Sequence, residues 1–426
     1  REKGAPVTRE VTRDRFLVLG PAGELSLPNF MMPPLMSNHG NYIVSLGDVV
    51  RWLGEQAEEL GVEVYPGFAA SEVLYNADGT VYGVATGDMG VGRDGEPKDS
   101  FTPGMELHGK YVLFAEGARG SLSKQLIRRF ELDKDSEPQK FGIGLKELWE
   151  VAPETHQPGL VQHSFGWPLD GSTGGGSFLY HYGDNLVAVG VVVHLNYKNP
   201  YLSPYDEFQR FKTHPSIAPT FEGGKRIAYG ARAITEGGLQ SLPKLVFPGG
   251  ALLGCSAGMV NVPRIKGSHN AMLSGIAAAD AVAKAIREGR SGDELQGYED
   301  EVRLGKIGWD LKVVRNVKPL WSKFGTYLGV MLGGIDMWAN TIITGIGFGY
   351  TMKHGKPDHA ATAKASRYKP IEYPNPDGKL IFDKLTSVSF SATNHEEDQP
   401  VHLQLKDASI PIQVNLPEYA EPAQRY

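Results

Sequence analysis

Residues Leu252 to Val282 read LLGCSAGMVNVPRIKGSHNAMLSGIAAADAV. An apolar strand runs into a loop of small residues with one proline, then into a long alanine-rich helix. Gly254, Ala257, Gly258 and Gly267 keep side chains away where a ligand could approach the backbone. Ser268 or His269 starts a helix rich in strong helix formers. Free N–H groups and the positive dipole end at such a start suit an electron-rich or anionic group. Two readings remain open on the pattern alone: an ordinary strand–loop–helix packing unit, or a loop that holds a cofactor.

Outward from this stretch, size and composition set the bounds. The chain has 426 residues, 41% hydrophobic and 22% charged, with a net charge of −6. That is a folded protein of roughly two to three domains. Positive residues are scattered, with no basic stripe or tail, so nucleic acid is not an expected partner. The single cysteine, Cys255, excludes an internal disulfide and a thiolate cluster built from this chain. The 53 glycines and 28 prolines imply irregular, backbone-rich loops. The beginning, REKGAP, has no initiator Met and no signal or transit pattern, and reads as a fragment or a processed product.

Residues 4–26 read as short strands and turns. Residues 27–36, LPNFMMPPLM, are apolar and uncharged, and the paired prolines forbid a regular element. They form either a buried loop or a soft apolar lip toward a membrane or lipid-like ligand. Helix 47–60 shows an apolar face at helical spacing and a Gly61 cap, and strand Val62–Tyr65 follows, so a parallel strand–helix–strand unit is expected. Hairpins follow at 71–88 (turn at Asp78-Gly79) and around GVGRDGEP. Buried strand Tyr111–Ala115 breaks into Glu116-Gly117-Ala118-Arg119-Gly120-Ser121 and helix Ser123–Phe130. Here Gly117 and Gly120 permit close approach, and Arg119 either pairs with a phosphate or is an exposed turn residue.

Residues 141–245 read as a largely antiparallel sheet interrupted by one helix at 204–215. The run Gly174-Gly175-Gly176 either absorbs a bend or lets a planar ligand lie on the backbone. A helix from Tyr298 to about Val317 comes after the 271–288 helix. Stretch 327–352 has one charge, Asp336, and six glycines in 26 residues. It is expected to lie in one leaflet as a hairpin of short helices, with Lys353 and His354 at the water boundary, or else to be a buried helix. The tail from Gly355 alternates like short edge strands and loops. No zinc-ligand spacing and no P-loop occur, His214 and His269 are lone histidines of structural type, and GCSAG resembles a nucleophile elbow only superficially. What remains is a redox or binding protein whose cofactor supplies the chemistry.

Seven stretches carry a resemblance: residues 38–67, 113–126 (LFAEGARGSLSKQL), 175–181 (GGSFLYH), 214–238, 254–272 (GCSAGMVNVPRIKGSHNAM), 371–383 (IEYPNPDGKLIFD) and 391–405 (SATNHEEDQPVHLQL). Together they resemble the electron transfer flavoprotein–ubiquinone oxidoreductase family over essentially the whole chain. That resemblance implies a monotopic membrane flavoprotein with FAD and a 4Fe-4S cluster. It would pass electrons from reduced electron transfer flavoprotein to ubiquinone, at the bacterial cytoplasmic membrane or the matrix side of the mitochondrial inner membrane. The implied fold is mixed α/β: an FAD-binding domain of the glutathione-reductase/hydroxylase type (38–135 and 246–290, discontinuous and incomplete). Into it is inserted a largely antiparallel quinone domain (1–37, 136–245 and 291–342), with part of an iron–sulfur domain at 343–426. Gly117, Arg119, Gly254, Cys255, Ser256, Gly258, Gly267, Ser268, Asn270 and Ala271 would contact FAD, Asn270 tuning the flavin by a hydrogen bond. Gly175 and Gly176 would meet a quinone carbonyl, and 27–36 with 327–352 would dip into the bilayer. Cys255 stands where relatives often have Asp, leaving the ribityl contact to backbone or Ser256, and Ser45 stands where they often have a basic residue. The family's G-x-G-x-x-G unit and its four cluster cysteines are not in this sequence, which therefore reads as a fragment without metal ligands. Other readings are an FAD enzyme of the hydroxylase or geranylgeranyl reductase type acting on an apolar substrate, or a non-catalytic membrane-associated binding module.

Overall fold

The computed structural model describes residues 3–343 and 347–425. In chain order the elements that shape the site are β1 (Arg13–Leu19), β2 (Glu24–Leu27), α1 (Leu46–Glu59), β3 (Val112–Phe114) and α2 (Ser121–Arg129). Then come β4 (Phe141–Glu150), β5 (Leu160–Gly166), β6 (Gly175–Tyr182), β7 (Leu186–His194), α3 (Pro204–Lys212) and β8 (Lys225–Thr235). After them follow β9 (Val246–Phe247), β10 (Gly250–Leu252), α4 (Ser268–Arg287), α5 (Gln296–Leu304), α6 (Lys306–Val313), α7 (Val317–Phe324) and α8 (Thr326–Ile342).

The large sheet has the order β8-β4-β7-β6-β5-β1-β2. Every pairing is antiparallel except β5 with β1. Strands β4 to β8 fall where β-branched and aromatic residues predict them. The apolar run Val187–Val193 lies inside the sheet, with Val187, Val189, Val191 and Val193 buried on one face. That face packs on α3 through Tyr205, Phe208 and Phe211. A second, smaller sheet has the order β3-β10-β9, with β3 parallel to β10. Its core includes Phe114, Phe247, Leu252, Leu122, Leu126 and Ala278, so α2 and α4 cover it.

Several local expectations fail for identifiable reasons. Val62–Tyr65 forms no strand, and Val62, Val64 and Tyr65 are exposed. A strand needs a partner ladder, and none reaches this segment, so the parallel strand–helix–strand unit is absent. The short strand Tyr42–Ile43 before α1 pairs antiparallel with Arg9–Glu10 instead. α1 begins at a Ser45 cap whose hydroxyl accepts from the Asp48 N–H at 3.3 Å, so Ser45 has a local structural role. The expected single helix 298–317 is three pieces. Gly305 breaks the first, because a Cβ there would sit 2.4 Å from the Glu301 carbonyl. Strand Tyr111–Ala115 is only partly buried, since Leu113 is exposed. The tail from Gly355 contains no strand among the described residues, only 3-10 turns and short helices. Its prolines withhold the donors a ladder requires.

Among the described residues the stretch 327–352 holds one helix, α8, which ends at Ile342, with turns at 347–350, and not the expected hairpin of short helices; residues 344–346 of that stretch lie outside the described residues. Its glycines serve packing. A Cβ at Gly329 would come within 2.6 Å of the Trp321 Cα, and Gly333 lies against Val317. α7 and α8 therefore approach at backbone distance. Asp336 is fully buried; its Oδ1 accepts from the Phe348 N–H at 2.7 Å. The outer face is left apolar, with Tyr327, Leu328, Met331, Ile335 and Ile342 exposed at near-helical spacing. Among the described residues no helix is long and apolar enough to cross a membrane.

Two glycines of α8 should respond oppositely to substitution. Gly329→Val forces the α7–α8 crossing apart and is expected to cost about 1–3 kcal/mol. Gly334 has open space around its Cβ position. Gly334→Ala is expected to add up to about 1 kcal/mol through helix propensity. Chemical denaturation of both variants beside the parent protein measures this, and a neutral Gly329→Val would refute the close crossing.

Candidate functional site

Strands β3 and β10 run parallel, and the Leu253 N–H donates to the Phe114 carbonyl at 2.9 Å. The two loops that leave them, 115–120 and 253–267, therefore start side by side. Crevices outside the carboxyl ends of parallel strands are where open α/β sheets bind ligands. In the first loop the Glu116 carboxylate accepts from the N–H groups of Leu122 and Ser123 at 3.1 and 2.6 Å, capping α2. Gly117 sits at φ +83 with open space around it. Arg119 lies over the Phe141 ring at 5.4 Å, so its charge is engaged with an aromatic face.

The second loop is shaped by glycine where it must be. Gly254, at φ +53, opens a 3-10 turn and faces Ala271, whose Cβ would be 3.0 Å from an added methyl. The Gly254 N–H donates to the Ser274 hydroxyl at 3.1 Å. Gly258, at φ +90, stands against Gln139, and Gly267 against Val260. Cys255 is half-buried and burial pushes its thiol pKa up, so it is a neutral wall residue. The Ser256 hydroxyl is buried without a hydrogen-bond partner. α4 starts at Ser268 with no side-chain cap, and the Ala271 N–H is the one that reaches back to Gly267. The N–H groups before it are the orphans of a helix start.

Asn270 is fully buried. Its amide donates to the Met259 carbonyl at 3.0 Å and to Asp310 Oδ2 at 3.1 Å, while its Oδ1 has no partner. Asp310, on α6, also accepts from Arg264 at 2.7 Å, from Asn261 at 2.9 Å, and bonds His269 Nε2 at 3.1 Å. Burial works against its charge, yet the bonds from His269, Asn261 and Arg264 outweigh it and hold the carboxyl below the usual range. His269 is thus a structural partner. His214 is one too, with Nε2 at 2.9 Å from the Gly20 carbonyl.

Beyond this helix start opens a cleft of about 1690 Å³. Cys255, Gly267, Ser268 and Ala271 line it at one side; Gly254, Ser256, Gly258, Asn270, Gly117 and Arg119 do not. Gly175 and Gly176 line it from the large sheet. The glycine run answers a packing demand: a Cβ at Gly174 would strike His194 Nδ1 at 2.1 Å, and one at Gly175 the Val192 carbonyl at 2.3 Å. Met31, Met32, Met36, Met331, Ile335 and Trp338 line the cleft from the two apolar stretches. These stretches meet, the Trp338 indole donating to the Met31 carbonyl at 2.9 Å and Leu35 and Met36 packing with Val317 and Met337. Met31, Met331 and Ile335 are more than half exposed, so the cleft has an apolar rim at the surface.

Sequence reasoning missed the ionisable groups in the wall. Glu236 and His194 line the cleft while buried at 1% and 4% exposure. Glu236 Oε2 pairs with Lys318; its Oε1 has no hydrogen-bond partner, with His194 Nε2 at 3.5 Å. Burial raises the Glu236 pKa and lowers those of His194 and Lys318. Their one sequence signal is a polar residue ending an apolar strand, VVVH and AIT-Glu, which does not say what they meet. Among the described residues no group of His, Cys, Asp or Glu could hold a metal.

Residues 141–234 match a family model described as ETF-QO, ubiquinone-binding, and 378–426 match one described as electron transfer flavoprotein-ubiquinone oxidoreductase, 4Fe-4S. The chain is 54% identical, over its whole length and 77% of the relative, to an electron transfer flavoprotein-ubiquinone oxidoreductase of Pseudomonas aeruginosa. It is 52% identical, over its whole length and 70% of the relative, to the mitochondrial one of Rattus norvegicus. Among solved structures, a geranylgeranyl bacteriochlorophyll reductase-like protein from Thermoplasma acidophilum is similar in fold. The TM-score is 0.56 and the identity 16%, over 78% of this chain and 76% of that one.

The Asp310 hub predicts an acid response. A carboxyl held low contributes stability that is present above its unfolded pKa and is lost as pH falls toward the folded one. Urea midpoints should therefore drop below about pH 4. Asp310→Asn should cost roughly 3 kcal/mol at neutral pH, because it leaves Arg264 without its carboxylate, and should flatten the acid limb. An unchanged midpoint at neutral pH would remove Asp310 from the support of α4.

Proposed function

The chain belongs to the electron transfer flavoprotein–ubiquinone oxidoreductase family, and we propose that its cleft receives the quinone ring at Gly175 and Gly176, with the loop 254–270 turned to the flavin. The activity is electron transfer from reduced electron transfer flavoprotein to ubiquinone, which makes the protein an oxidoreductase. Its cofactors are FAD and, in the full-length protein, a 4Fe-4S cluster whose ligands are not in this chain, as expected from the sequence. The observation that carries the reading is the cleft itself. It joins a helix start, a glycine backbone and an apolar rim, as a flat polar ring on a long apolar tail requires.

The residues present fit FAD at one end. The buried, unpartnered Ser256 hydroxyl can give or take a hydrogen bond and Asn270 Oδ1 can take one, and Gly267 lines the cleft with backbone alone. Bound FAD supplies a ring that stores electrons. The N–H groups and positive end of α4 favour negative charge on a group beside them. Gly258 shapes the turn, and Ser268 and Ala271 form the wall. For Arg119 to reach a phosphate it must leave Phe141; Gly117 lets its loop move. The residues do not fit the cluster: the segment 378–426 contains no cysteine, and Cys255 is the chain's one thiol.

We assign residues 38–135 with 246–290 to flavin binding, 1–37, 136–245 and 291–342 to the quinone, and 343–426 to the cluster region. Support comes from the shared sheet of β1, β2 and β4–β8 and from the two matched segments. The apolar rim fits monotopic attachment, at a bacterial cytoplasmic membrane or the matrix side of the mitochondrial inner membrane. The geranylgeranyl-reductase alternative rests on fold likeness alone at 16% identity.

Two measurements test this. The full-length protein, given reduced electron transfer flavoprotein, should reduce a soluble short-chain quinone; no reduction would sink the reading of the cleft. Met331→Glu with Ile335→Glu should weaken binding to phospholipid vesicles by at least about tenfold, since each buried apolar side chain contributes roughly 1.5–3 kcal/mol. Unchanged vesicle binding would detach the rim from the membrane.

A further inference from the structure

Reducing a quinone takes two electrons and two protons. Each carbonyl C=O becomes C–OH, so each ring oxygen gains an O–H bond. The partner flavoprotein supplies electrons, but protons must come through the wall of an apolar cleft. We propose that Glu236 hands a proton to the quinone oxygen beside Gly175 and Gly176, with His194 positioning its carboxyl and Lys318 returning a proton from the surface side. The inference rests on the reading of the cleft as a quinone site.

The geometry points at these three groups. Glu236 directly follows β8 and His194 ends β7. Both line the cleft. His194 Nδ1 lies against Gly174, the residue before the two glycines proposed to meet the ring. Trp321 closes on the His194 ring edge-to-face at 4.9 Å and fixes it. Glu236 Oε1 is a buried polar atom with no hydrogen-bond partner. Such an atom is costly unless something arrives to meet it. Its other oxygen is held by Lys318.

Lys318 and Glu236 share a buried charge cluster with Lys140 and Asp358. The Glu236 N–H donates to the Lys140 carbonyl at 2.6 Å, and Lys140 Nζ lies 3.0 Å from Asp358 Oδ1. Lys140 Nζ also donates to the Lys356 carbonyl at 2.6 Å, and Lys356 is at the surface. The groups that face Glu236 are therefore His194 from β7, Lys318 from α7, Lys140 before β4 and Asp358 after α8. His354, bonded to the Gly237 carbonyl at 2.8 Å, stands beyond them. The step balances: the Glu236 O–H breaks and the quinone O–H forms as the ring takes its electron pair. The carboxylate then takes a proton from the Lys318 ammonium, which solvent replaces. Burial, which raises the Glu236 carboxyl and lowers the Lys318 ammonium, brings the two closer in proton affinity.

The test uses the full-length holoenzyme. Stopped-flow absorbance separates flavin bleaching by reduced partner from flavin recovery on adding a soluble quinone. In the parent protein the recovery rate should fall as pH rises through the elevated carboxyl range, because the proton-bearing form is lost. Glu236→Gln should leave bleaching unchanged, slow recovery by about 10²-fold and abolish that pH dependence. Glu236→Asp should restore part of it. Recovery in Glu236→Gln as fast as in the parent at every pH overturns the proposal while leaving the cleft reading intact. Absence of quinone recovery in the parent protein overturns the cleft reading itself. If the Gln variant does not fold, infrared difference spectra of the parent decide: a protonated-carboxyl band, shifted in heavy water, should change on quinone turnover. Its absence overturns the proposal.

Discussion

One carboxylate, that of Asp310, fixes where α4 begins. It gathers His269 and Asn270 from the first turn of the helix, and Arg264 and Asn261 from the loop before it. A helix start is a poor place to end a loop without a side-chain cap, and α4 has none. Asp310 supplies the missing constraint from a distance. Because it belongs to α6, the same contact ties the helix start to the run α6–α7–α8 that carries the apolar rim. The two ends of the cleft are therefore not independent. Movement of α6 would be felt both at the loop 254–270 and at Met331 and Ile335.

A second buried carboxylate holds the opposite face of the large sheet. Glu147 is wholly enclosed and bonds Lys212 at 2.7 Å, the Trp149 indole at 2.8 Å and Gln209 at 3.2 Å, with Arg226 at 3.4 Å. The tail closes over this knot. Phe382 donates to Gln209 at 2.9 Å, and Ser387 accepts from Arg226 at 2.7 Å. A buried charge group of this kind is costly to break and contributes less when intact than its Coulomb energy suggests. Its role is placement: it sets 380–390 against the sheet, and with it the segment matched to the cluster region.

The sequence made the sheet legible because its strands are long, apolar and bounded by turns. It made the glycines legible too, though for a different reason than expected. Gly174 and Gly175 are glycine because His194 and the Val192 carbonyl occupy the Cβ positions; the ligand reading of Gly175 and Gly176 is an addition to that. What stayed hidden was every contact set by tertiary neighbours. Val62–Tyr65 looks like a strand by composition and finds no partner. Tyr298–Val317 has a continuous helical pattern, and Gly305 divides it because the backbone packs too closely for a side chain. Asn270 was legible as a first-turn residue, but its bond to Asp310 spans 40 positions, and no local pattern predicts it. The sequence offers Arg119 as a phosphate partner or an exposed turn residue, and it is exposed, over the Phe141 ring.

Three of the buried carboxylates, Glu147, Asp310 and Glu236, also differ in how their oxygens are met. Both oxygens of Glu147 are bonded, as are both of Asp310. Glu236 has one oxygen bonded and one without a hydrogen-bond partner, and it is the one of the three that lines the cleft. Desolvating that atom costs on the order of 1–3 kcal/mol. A proton on Glu236 would reduce the cost by removing the charge, and would leave an O–H on a residue that lines the cleft. The same burial that makes the group expensive to the fold makes it a weaker acid.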